Sequence, residues 1–138
     1  MNDIDKDFED FFEHYLICAL WASSDTDAIG RYFNFDDLFS TKDFEEESLK
    51  YLRNTAYKFY RDNKHMFKYK QHTFNDGTYT DYMLAGHDFW LTTHSHGSGF
   101  WDGDMINQDD ATLITERCKE YSSCTLFAKD DLSKIFIE

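Results

Sequence analysis

The chain has no proline and only six glycines, four of which fall between Ala85 and Asp104. Proline ends helices by ring clash and by removing an amide donor, so here the breaks must come from Gly, Asn and Asp. Layout is therefore carried by hydrophobic periodicity.

From Asp5 to Trp21, Phe8, Phe11, Phe12, Tyr15, Cys18 and Ala19 recur at helical spacing, with Asp7, Asp10 and His14 on the opposite face. Asp3, Asp5 and Asp7 sit near the start of this helix, where free amides and the dipole favour negative charge. "SSDTDAIG" reads as a loop. A second helix is expected in "STKDFEEESLKYLRNTAYKFYRDN", capped by Ser40 or Thr41 and burying Leu49, Leu52, Ala56, Phe59 and Tyr60. A third is expected from Asp109 or Asp110 to about Tyr121, on Leu113, Ile114 and Cys118 or Arg117. "HTFNDGTYT" signals a small hairpin turning at Asp76-Gly77, and "CTLFA" and "SKIFIE" read as two strands joined by "KDDL".

The stretch "AGHDFWLTTHSHGSGFWDGD" holds three histidines and two tryptophans besides its glycines. Alternation from His87 to Thr93 predicts a strand with His87, Phe89, Leu91 and Thr93 on one face and Asp88, Trp90 and Thr92 on the other. A second short strand at Gly99 to Asp102 completes a hairpin, in which Gly97 supplies a positive φ and Gly99 a bulge or close backbone approach. The expected fold class is α+β, one domain over residues 1–138. Two N-terminal helices and the later helix pack on a small antiparallel sheet built from the central and C-terminal hairpins. Phe89, Leu91, Phe100, Leu126, Phe127, Ile135 and Ile137 are candidates for its inner face, and Trp21, Trp90 and Trp101 for an aromatic cluster.

Within this motif His87, Asp88, His96 and Asp102 are the candidate catalytic or ligand-binding residues. His94-x-His96 with His87, Asp88 and Asp102 also sketches a zinc or iron site, but two loop histidines without a fixed third ligand do not close one. No metal and no cofactor is expected, and the core is large enough that folding should need neither. Ser95, Ser98 and Cys118 are nucleophile candidates by residue type alone, since the surroundings of a nucleophile elbow are missing.

There are 27 acidic residues against 14 basic, a net charge of −13. Such a balance argues against binding a nucleic-acid backbone, which draws on Lys and Arg, and suits a partner with a basic surface. Asp3, Asp7 and Asp10 on the first helix and Glu45, Glu46 and Glu47 at the start of the second are the candidate partner-binding carboxylates. Aromatic residues make up 19% of the chain, so it is not a disordered acidic tail. Cys18, Cys118 and Cys124 are odd in number and lack CxxC spacing, which fits reduced thiols in the cytoplasm. The acidic start "MNDIDKDFEDF" is unlike a signal peptide, and no apolar run approaches the roughly eighteen residues of a membrane span.

"AGHDFWLT" followed by "HGSGFWDGD", with "YLICALWASSD" at Tyr15 to Asp25 and "CTLFAKDD" near the end, resembles a family of small uncharacterised proteins encoded by bacteriophages and prophages. The matching central positions are Gly86, His87, Asp88, Phe89, Trp90, Leu91, Thr92, His96, Gly97, Gly99, Phe100, Trp101 and Asp102. The family carries Arg-Asn-Gly where this chain has Thr93-His94-Ser95, so His94 is not a family feature. The resemblance implies a phage accessory protein in the host cytoplasm and lends no activity.

Two classes of function follow. One is a non-enzymatic protein that binds a host protein, such as a nucleic-acid-handling or defence enzyme, through acidic surface. The other is a small enzyme or ligand binder centred on His87, Asp88, His96 and Asp102. A pocket favours the second and a convex acidic face the first.

Overall fold

The first helical pattern folds where periodicity places it. In the computed structural model, which describes residues 5–70, 72–74, 77–95, 97–128 and 132–138, helix α1 (Lys6–Ala22) begins at Asp5. The Asp5 carboxylate accepts the Phe8 amide at 3.1 Å, and the helix buries Phe8, Phe11, Phe12, Tyr15 and Leu16. The loop expected after it is a short ribbon instead. Strands β1 (Ser24–Thr26) and β2 (Tyr32–Asn34) pair antiparallel around a turn in which Gly30 takes φ +83°. A four-residue helix α2 (Phe35–Leu38) follows at once and buries Phe35.

Ser40 caps a single 3-10 turn, Thr41–Asp43, with Asp43 bonding back to the Ser40 amide in a capping box. The long helix starts later than expected. Helix α3 (Glu46–Asn63) is capped by Glu45, whose carboxylate accepts the amides of Glu47 and Ser48. It buries Leu52, Ala56, Phe59 and Tyr60 as expected, while Leu49 is only half-buried. A two-residue ribbon follows, β3 (Thr73–Phe74) with β4 (Gly77–Thr78), at the expected hairpin; Asp76 of its turn lies outside the described residues.

The central motif departs most from the expectation. Residues 81 to 93 form a helix, α4 (Asp81–Thr93), not a strand. Its start signal lies upstream of the motif, where the Thr80 hydroxyl accepts the Met83 amide and Asp81 occupies the first turn. Read from Asp81, Ala85 pairs with Phe89 and Gly86 with Trp90 at i, i+4, and all four are buried. Gly99 to Asp102 is a turn closed by the Asp102 amide on the Gly99 carbonyl at 3.2 Å, so no central hairpin and no sheet built on one exists among the described residues. Gly97 does take a positive φ, +84°.

Helix α5 (Gln108–Cys118) is capped by Asn107 rather than by Asp109 or Asp110, and buries Ala111, Ile114 and Cys118. Strands β5 (Leu126–Ala128) and β6 (Ile135–Ile137) form the expected C-terminal hairpin, with Leu126 opposite Ile137 and Ala128 opposite Ile135. The architecture is thus mixed helix and sheet: five α-helices among the described residues and three separate two-stranded ribbons. Phe11, Phe59, Phe67, Phe89 and Phe100 fill the centre, the Phe59 and Phe89 rings lying 4.0 Å apart. Of the tryptophans only Trp90 belongs to this core, since Trp21 is 60% and Trp101 40% exposed. No helix among the described residues is long and apolar enough to cross a membrane.

Candidate functional site

Gly86 sets how closely α4 approaches α1. A methyl group on it would lie 2.9 Å from the Tyr15 amide nitrogen and would run into the Phe11 carbonyl oxygen. Backbone meets backbone there because glycine has no Cβ. One residue on, His87 leaves α4 toward α1 and meets His14, the Nε2 of His87 lying 3.1 Å from the Nδ1 of His14. One ring nitrogen donates and the other accepts, so the pair shares a single proton across this contact. The His14 ring also meets that of Tyr79 at a right angle, with centroids 5.6 Å apart.

This pair stands in a cleft of about 690 Å³. Its apolar wall comes from Ile17, Leu20 and Trp21 of α1, Phe39 after α2, and Leu91 of α4. Carboxylates stand at two places in the lining: Glu13, which accepts the Thr41 hydroxyl at 2.8 Å, and the exposed Asp36. Ile17 and Trp21 thus form a water-facing apolar strip beside the burying face of α1, with charge next to it.

Asp88 goes elsewhere. Neighbours on a helix diverge by about 100°, and Asp88 turns inward, where the Tyr69 hydroxyl donates to it at 2.7 Å. Burial pushes its carboxyl up to about 7; the Tyr69 bond works against this, and the charges of Asp102 and Asp104 add to it. Asp102 is exposed and accepts the Gly99 amide at 3.4 Å, while His96 lies outside the described residues. Of the three described residues expected to form one site, only His87 lines the cleft.

His94 is committed to the fold. It stacks on Trp90 with ring centroids 3.6 Å apart, its Nδ1 lies 2.9 Å from the Trp90 carbonyl, and its Nε2 accepts the Cys124 amide at 3.0 Å. Among the described residues no three His, Cys, Asp or Glu side chains converge to hold a metal ion. Burial raises all three thiols, Cys18 to about 12 and Cys124 to about 11, with Cys118 higher still, so none has the lowered value of an activated nucleophile.

A second cavity, about 680 Å³, lies between the ends of α4 and α5. Its threonines serve the backbone: Thr92 accepts the Phe100 amide, Thr93 donates to the Phe89 carbonyl and Thr115 to that of Ala111. The histidine cleft has more side-chain chemistry to offer.

The expected partner-binding carboxylates divide by use. Asp10 is paired with Lys6 at 2.5 Å and mostly buried, and Glu45 is the α3 cap, whereas Asp7, Glu46 and Glu47 are exposed; Asp3 lies outside the described residues. Sequence reasoning placed His14 on the polar face of α1 and missed its role, together with those of Glu13, Trp21, Asp36 and Tyr79. The available signal was a histidine one turn before the apolar end of an amphipathic helix. Comparison with protein-family models, curated proteins and solved structures gave no match.

Proposed function

We propose that the protein is a small acidic binding protein, an accessory protein of phage type, that docks a host protein through the cleft between α1, α2 and α4. An apolar side chain of the partner enters against Ile17, Trp21, Phe39 and Leu91, and flanking Lys or Arg residues meet Glu13 and Asp36. The observation that carries this reading is the wall itself. Ile17 and Trp21 line the cleft yet remain 36% and 60% exposed. Apolar surface left open in this way marks an interaction site, and Trp is a preferred anchor at such sites. The net charge of −13 selects a basic partner and speeds its approach. A nucleic-acid-handling or defence enzyme of the host is a partner class with such a surface.

The cleft volume favours a second reading, a ligand site on His14 and His87, because small molecules fill cavities of several hundred Å³. One experiment separates the two. Dye-labelled peptides with a central Phe or Leu flanked by lysines are titrated by fluorescence anisotropy, beside the same peptides flanked by glutamates and beside phenethylamine as competitor. The lysine-flanked peptides should bind, more slowly as salt is raised. Trp21→Ala and Asp36→Lys should each weaken them by about tenfold, and Glu46→Lys should leave them nearly unchanged. Equal binding of both peptide sets, or complete displacement by phenethylamine at stoichiometric amounts, would replace docking with the ligand reading.

A further inference from the structure

The cleft is lined by a pair of groups whose charge changes with acidity. We propose that the His14–His87 pair is a proton-operated release device for a basic partner docked in the cleft, a regulation that rests on the docking reading above. The nitrogens are 3.1 Å apart, close enough for one proton to be held between them and too close for two. With one imidazole donating and the other accepting, the pair is a closed contact joining α1 to α4. A proton on each nitrogen turns it into two cations facing donor to donor, which removes the bond and sets like charges against each other.

The surroundings fix the direction of the effect. Among the described residues, Glu13 and Cys18 of α1, Asp36 of α2 and Tyr79 before α4 are the other titratable groups lining the cleft. Burial holds the Cys18 thiol protonated. The two carboxylates carry the negative charge that a lysine or arginine would meet. The first extra proton puts a positive charge in the cleft that the two carboxylates also line and weakens their attraction for a basic segment, while the second, entering against the first, breaks the contact between α1 and α4. Histidine is the side chain that makes the first of these changes in the range between about pH 5 and 8.

Two measurements on the full chain decide the matter. Long-range proton–nitrogen NMR of the histidine rings, followed through the acid range, should show His14 and His87 taking up protons in two separated steps. His87→Gln should return His14 to a single step. Anisotropy with the lysine-flanked peptide should show affinity falling by about tenfold or more between about pH 7.5 and 5.5, and His87→Gln should remove most of that fall. Independent single-step titration of the two rings in the native chain overturns the proposal, as does a pH dependence that survives in His87→Gln. Joint loss of both ring signals on adding equimolar zinc would make the pair a ligand set and overturn it too. If the peptide fails to bind at any pH while the rings titrate in two steps, the docking reading fails and the coupled pair stands as a property of the fold.

Discussion

Asp88 is a carboxyl group with one donor, Tyr69, in a place water hardly reaches. Its value rises from the ordinary 3.8 to about 7, so the folded chain keeps this proton at a pH where the unfolded chain has lost it. The corresponding stability is complete below about pH 4 and is lost as pH rises through about 7. Asp88→Asn cannot ionise and keeps an oxygen for Tyr69. It should be more stable than the parent by on the order of 2–4 kcal/mol at about pH 8, and by little at about pH 4, in denaturant titrations at the two pH values. Gly97 is a simpler case, since its φ of +84° is a local demand and nothing stands within 4 Å of where a Cβ would go. Gly97→Val should cost about 1–3 kcal/mol from backbone strain alone, with Gly97→Ala costing less. Gly97 was legible because a turn residue acts on its own backbone. The partnership of His14 with His87 was not, because it exists only once two helices distant in sequence have crossed.

At the scale of elements, legibility followed the length and cleanness of the pattern. The three periodic helices are present, and the two hairpins with turn chemistry or paired apolar runs are too. The central helix is not legible in His87 to Thr93 alone, because apolar side chains in these seven residues occur on both faces and a period of two fits as well as 3.6. The deciding signals, Thr80 as cap and Asp81 in the first turn, lie before that window. The β1–β2 ribbon was missed because its strands have three residues each and expose two of them, which leaves little alternation to see. Gly86, Phe89, Trp90, Thr92 and Phe100 of the central stretch turn out to hold α4 against its neighbours. Gly86→Ala tests that role. The added methyl meets backbone at Phe11 and Tyr15, which cannot step aside as a side chain would, so melting should show a loss of about 1–3 kcal/mol or more. Val or Leu at the same place should abolish folding.

The whole molecule is a bundle of helices around aromatic rings with ribbons attached, rather than helices laid on a sheet. The broad class was readable, since helical and strand patterns are both present in the chain. That the ribbons stay separate among the described residues was not readable, because pairing between ribbons depends on where α4 lies. The most extensive contact between any two elements is that of α1 with α4, and α1 ends at Ala22 while α4 begins only at Asp81. A core organised around so distant a pair can form only after most of the intervening chain has been brought into a loop, and closing that loop precedes the reward. This chain should therefore fold more slowly than a helical bundle of similar size, with the crossing at Gly86 already made at the barrier. Stopped-flow refolding of Gly86→Ala should show its loss mainly in the folding rate, whereas Phe127→Ala in the terminal ribbon should show it mainly in the unfolding rate. The opposite assignment would mean that the C-terminal ribbon, not the glycine crossing, starts the search for the native state.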